Sequence, residues 1–245
     1  MAYNENMLIK ALSQLQHWRD SRCGPHLMKR ALERGFKSDL ASIDAQSRDK
    51  IRSEIDRRLP EIIEDDRSWS VDVPTRGQLE WAASVLAAHE ALEPHLTGPS
   101  ETVDLLISIT RDEWNTARNR FLSGRLPRAL LRHRKRPGLP LNALLPQYGA
   151  PWHWHSIPRE DGGFDVFNRD CFYDGFMTAH GMPELAGVFW SLDAMWTERI
   201  TPERCGFLFE ERRKGSTNGK DWCRCFSFTP ATRNDPAVQT NSGAA

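Results

Sequence analysis

Cys171, Asp174, Gly175 and Thr178 stand three, four and seven residues apart. On a helix turning about 100° per residue they share one face. A cysteine in a helix's first turn lies beside unpaired N–H groups, which favour its thiolate. Cys171 therefore reads as a nucleophilic or ligand-contacting thiol beside the Asp174 carboxylate, or as a small buried residue at a helix start. Gly175, lacking a side chain, lets a second backbone or a ligand approach. Asp193 falls on the flank of an apolar helical stripe, among Phe189, Trp190 and Trp196. A carboxylate there is either partly desolvated and suited to acid–base work, or exposed and matched by a nearby Arg or Lys.

His153 and His155 alternate with Trp152 and Trp154, so on a strand both imidazoles share one face. Such a pair can bind a metal, but no carboxylate partner accompanies it in sequence. Hydrogen-bonded histidines lining a pocket are the preferred reading. Cys223 and Cys225 flank Arg224 and share a strand face in the same way. With Cys205 they make a weak zinc signal, since C-x-C lacks the usual C-x-x-C or spaced His pair. One inward thiol beside a pocket is expected instead, with no metal and no cofactor. A Walker loop, a Gly-rich dinucleotide fingerprint, a G-x-S-x-G elbow and an H-E-x-x-H motif are all missing from the chain.

The composition of the whole chain bounds its partners. Its 245 residues carry 33 Lys+Arg against 33 Asp+Glu, so no global field draws it to nucleic acid or to a membrane surface. No apolar run is long enough for a transmembrane helix. The five cysteines are an odd number, and the N-terminus does not read as a secretory leader, so reduced thiols in a cytoplasm are expected.

These residues need elements to hold them. Residues 1–150 read as mainly helical. Leu8, Leu12, Leu15 and Trp18 recur at helical spacing up to the break Cys23-Gly24-Pro25. A short helix from His26 to Arg34 follows, then a charged helical stretch from Ser38 to Ile63 with a kink allowed at Pro60. Trp69 to Pro74 reads as a linker or a short extended piece. Thr75 to His95 is a helix with the small-residue stripe Leu79, Ala82, Ala83, Leu86, Ala87, Glu90 and Ala91, which suits close packing. Another helix starts at Pro99. The basic run from Gly124 to Gly138 reads as a solvated helix end, or one balanced by Glu61 to Asp66, with a phosphate or sulfate anchor as the alternative. From Pro151 the pattern changes to strands at 152–157 and 164–167, helices over Cys171–His180 and Pro183–Ile200, and a hairpin from Cys205–Glu211 to Trp222–Phe228. The expected class is α+β: a helical N-terminal half on a small antiparallel sheet with two C-terminal helices. Residues 1–229 form one expected domain, and 230–245 a disordered tail.

The order Phe164-x-Val166-x-x-Arg169-x-Cys171-x-Tyr173, then Gly181-Met182-Pro183-Glu184-Leu185, then Phe189-Trp190-x-x-Asp193 resembles the L-2-amino-thiazoline-4-carboxylic acid hydrolase family. So do Glu211-Arg212, Gly219 and the closing Cys225-Phe226-Ser227-Phe228. Ala88-His89-Glu90-Ala91-Leu92 fits the family's helical part, and the resemblance runs from about residue 75 onward. It implies that Cys171, Asp193 and either Cys223 or Cys225 are site residues. The family's cysteine three residues before the aspartate is Trp190 here. The implied activity is hydrolysis or formation of a C–N/C–S heterocycle on an amino-acid-derived substrate in specialised metabolism. A ring-forming aza-cyclase of nonribosomal antibiotic biosynthesis is the alternative, closing a small nitrogen ring such as an aziridine by intramolecular displacement. A non-catalytic binding or partner subunit is another. Asp193 and Cys171 are the expected catalytic residues, with Asp193 as base or amine anchor. His153, His155, Asp174, Trp190, Trp196, Arg212 and Cys225 are expected to contact substrate. Arg212, Arg213 and Arg169 are candidates for a cation facing a leaving group. A partner or carrier protein is a further expectation.

Overall fold

The computed structural model describes residues 24–115, 149–150, 152–217 and 220–231; for 193–196, 214–217 and 220–222 it describes the backbone alone. The expected first helix, the basic run at 124–138 and most of the expected tail lie outside the described residues.

The chain divides into two compact units. The first holds the helices of the N-terminal half together with residues 147–151 and 172–192. Helix α1 covers residues 24–35. Gly24 and Pro25 do not break a helix but belong to the start of this one. A Cβ on Gly24 would sit 2.6 Å from Trp81 Cγ, so only glycine fits against that indole. Helix α2 (Ala45–Asp65) is capped by Asp44, whose carboxylate accepts from Ser47 N–H, and it runs on through Pro60. A short 3-10 turn (Arg67–Trp69) leads into α3 (Val73–Leu92). The segment expected as a linker is therefore mostly turn and helix start. Asp72 explains the early start: it forms a capping box with Thr75, and Pro74 stands in the first turn.

Helix α3 is the buried axis of this unit, and α2, α4 (Pro99–Trp114) and α5 (Phe172–Ala179) all contact it. The small-residue stripe does what its sizes suggest: Ala82, Ala83, Ala87 and Ala88 are completely buried. Close approach is set by alanine, and aromatic rings fill the remaining space. Tyr173 stacks on Phe189 at 3.8 Å, and Trp81 meets both edge-on. Ion pairs tie the helices together. Buried Glu113 accepts from Arg30 and Arg34 of α1, and Glu90 of α3 accepts from Arg58 of α2. Helix α6 (Ala186–Thr197) follows a 3-10 turn at Pro183–Leu185, so Pro183 opens the turn rather than the α-helix.

The second unit carries an antiparallel four-stranded sheet, β1 (Trp154–Pro158), β2 (Phe164–Asn168), β3 (Phe207–Thr217) and β4 (Lys220–Pro230), in the order β1-β2-β4-β3. One helical turn, α7 (Pro202–Cys205), precedes β3 and ends at Gly206 in the left-handed region. In the long β3–β4 hairpin pairing continues out to Thr217 with Lys220, beyond the strand ends expected at Glu211 and Trp222. The chain is thus α+β, as its patterning indicates. No helix among the described residues is long and apolar enough to cross a membrane.

Candidate functional site

Period-two alternation sorts the sheet residues onto two faces. One face carries Phe164, Val166, Phe226 and Phe228, which form an aromatic core with Ile200 and Phe207. Cys205 packs against that core. On the same face Arg224 lies buried over the Phe226 ring, 4.8 Å from its centroid, with Glu211 accepting from its guanidinium at 2.9 Å. This pair is structural: a buried cation needs its anion and finds it in the neighbouring strand.

The other face carries chemistry. Strand register lines up His155, Phe167, Cys225 and Arg212 as one row across all four strands. His155 stacks on Phe167 at 5.1 Å. Arg212 Nη2 donates to Ser227 Oγ at 2.9 Å and to Cys225 Sγ at 3.4 Å. The next row sets Asp165 opposite Ser227. Asp165 also accepts from Arg159, whose guanidinium reaches Thr229 and Asp161. Burial pushes the Cys225 thiol up; Ser227 and Arg212 offset part of this, and the Asp165 charge adds to it. Cys225 is thus a neutral thiol at neutral pH, a wall and weak donor rather than a nucleophile.

Of the residues expected to contact substrate, the fold brings Arg212 and Cys225 into contact and sets His155 in the same row, on the opposite edge strand. Cys223 lies on the same face, two residues from Cys225, and donates to the Asn168 carbonyl. Cys205 lies on the opposite, aromatic face, so the three cysteines do not converge. Among the described residues no group of three or more His, Cys, Asp or Glu could hold a metal ion. Arg212 and Arg213 point to opposite faces, Arg213 reaching Glu211. Arg169 extends the Arg212 face, its N–H bonded to the His153 carbonyl. His153 is exposed, with Nδ1 on Asp170 Oδ2. Cys171 is buried just ahead of α5. Asp174 and Trp190 are half-buried in the first unit. The helical face of Cys171 and Gly175 serves packing at one point: the place of a Gly175 Cβ is met by the Trp69 ring at 3.3 Å, not by a ligand. The side chains of Asp193 and Trp196 lie outside the described residues; their backbone is helical, in α6.

Ser227, Asp165 and Asp170 are the polar neighbours that reading the sequence missed. Alternation from Cys225 already assigns Ser227 to the thiol face. Asp165 and Asp170 carry no local signal, because only strand pairing brings them to Ser227 and to the His153 end of β1. No family model matches the chain, and neither a curated protein nor a solved structure matches it.

Proposed function

We propose that this chain is a small-molecule enzyme of specialised metabolism, acting on an amino-acid-derived C–N or C–S heterocycle by hydrolysis or ring formation. The observation that supports it best is the Arg212 guanidinium laid on Ser227 and Cys225, in one row with His155. A guanidinium anchored by neighbours presents a fixed cation, which suits a substrate carboxylate or a departing anion. The resemblance to L-2-amino-thiazoline-4-carboxylic acid hydrolases supplies the substrate class. Asp193 takes or holds the proton on nitrogen. A neutral Cys225 favours a route without a thiol-bound intermediate, such as direct attack of water on the ring or direct displacement by an amine.

The experiment is proton NMR of the purified chain with 2-amino-thiazoline-4-carboxylate and, separately, with 3-chloroalanine. Ring opening of the first supports the hydrolase reading. Conversion of the second to aziridine-2-carboxylate, with loss of chloride, supports the cyclase reading. Arg212→Gln should raise KM at least about tenfold in either case. Binding without turnover marks a non-catalytic binding protein, and neither binding nor turnover overturns the proposal.

A further inference from the structure

We infer that the aromatic face of the sheet holds a binding site at Asn168 for a small planar ligand whose edge sets an N–H donor beside an acceptor, as in a lactam or a cyclic amidine. The site lies on the face opposite Arg212 and is independent of the activity proposed above. Asn168 closes β2, and alternation from Phe164 and Val166 sets its side chain on their face. The residue is completely buried, yet neither Nδ2 nor Oδ1 has a hydrogen-bond partner among the described residues. Its main-chain carbonyl, by contrast, accepts from Cys223. Buried side-chain amides in folded chains are nearly always paired, because one stripped of water and left alone forfeits the bonds of both its donor and its acceptor.

The neighbours in the register leave the amide open to a ligand and shape what fits. Asn168 stands directly between Trp154 of β1 and Arg224 of β4. Arg224 gives its Nε and Nη2 to Glu211 and lies over the Phe226 ring, so its guanidinium does not serve the amide. The Trp154 indole is 5.9 Å from that same ring and 23° from parallel to it, which suits a flat molecule. A carboxamide presents a donor and an acceptor in one plane. An anion would pair with Nδ2 and leave Oδ1 alone, and an ammonium would do the reverse. An N–H beside a carbonyl or ring nitrogen serves both atoms at once. Entry is past Trp154, which is half-buried on the edge strand.

The probe is 2-pyridone. The control is N-methyl-2-pyridone, which keeps the ring and the carbonyl and loses the donor. Each is titrated into the native chain and followed on the Asn168 side-chain amide by ¹H–¹⁵N NMR, the signal being assigned by its loss in Asn168→Leu. Saturable movement with 2-pyridone is expected, with binding at least about tenfold weaker for the N-methyl compound. An Asn168 amide unmoved by 2-pyridone, or equal binding of the two compounds, overturns the site. So does a nuclear Overhauser contact from that amide to a resident water that survives saturating 2-pyridone, since the water is then the partner. Leucine keeps the branched shape of asparagine and removes both unpaired atoms. Asn168→Leu should therefore melt close to or above the parent temperature and bind 2-pyridone at least about tenfold more weakly. A melt several degrees lower would mean that the amide is paired within the fold, and would overturn the inference.

Discussion

Arg212, Cys225 and Ser227 show how a residue's role follows from its neighbours. Cys225 is completely buried, and burial pushes its thiol up. A thiol held neutral and out of water is a poor target for electrophiles. In the native chain at neutral pH, Cys225 should resist iodoacetamide and become labelled only on unfolding, as peptide mass spectrometry will show. Rapid native labelling at that position would contradict its burial. Asp193 carries the proposed acid–base role. Asp193→Asn keeps shape and removes charge, so it separates chemistry from packing. A rate loss of about 10²-fold or more is expected, with a melting temperature close to the parent. Normal turnover by Asp193→Asn would remove it from the mechanism.

At the scale of elements, Asp72 is the residue on which most depends. Its carboxylate accepts from Thr75 N–H at 2.9 Å and from Ala150 N–H at 2.7 Å, so one cap starts α3 and also holds the chain at 149–150. Gly149 is required there: its φ of 97° lies in the left-handed region, and a Cβ would meet an Asp72 carboxylate oxygen at 2.9 Å. Asp72→Ala should cost about 1 kcal/mol for the cap alone, with a further loss at Ala150, and lower the melting temperature by a few degrees. Asp72→Ser should recover part of this, because serine still caps Thr75 but is too short for Ala150. Equal melting of the alanine and serine variants would mean that the cap contributes nothing.

Across the whole molecule, zero net charge hides a dense network of surface ion pairs. Hydrogen bonds from Arg52, Arg57, Arg58 and Arg159 hold Glu33, Glu54, Glu61 and Asp161 below the usual carboxylate range. Asp44 and Glu101 are held down by Ser47 and Thr97. Each folded-state value is depressed, so the folded chain binds fewer protons than the unfolded one. The associated stability is complete above the unfolded carboxyl values of about 4 and is lost as pH falls through the lower folded values. Stability should therefore begin to decline below about pH 4. These groups are exposed, so at neutral pH added salt should lower stability only slightly. A thermal melt series over pH and salt checks both; undiminished stability well below pH 4 would show that the pairs carry no linkage.

Local patterning determined the elements. Alanine spacing announced a close-packed α3, period two announced the strands, and Gly181, with φ 72° in the left-handed region, follows α5. It also determined that Cys223 and Cys225 share a face, since alternation is a property of the backbone itself. Tertiary structure alone decided which residues meet. Strand order β1-β2-β4-β3 sets His155 and Arg212, 57 residues apart in the chain, in one row at opposite edges of the sheet, and places Cys205 away from the other thiols. The same pairing brings Asp170 to His153 and Glu211 to Arg224. Even the role of Gly175 changed on folding, because the space it leaves was taken by an indole from far earlier in the chain. Side-chain type and spacing act over one or two turns or a few strand residues. Register between distant strands is set by burying the Phe164, Val166, Phe226 and Phe228 face, and the polar face receives whatever that burial brings opposite.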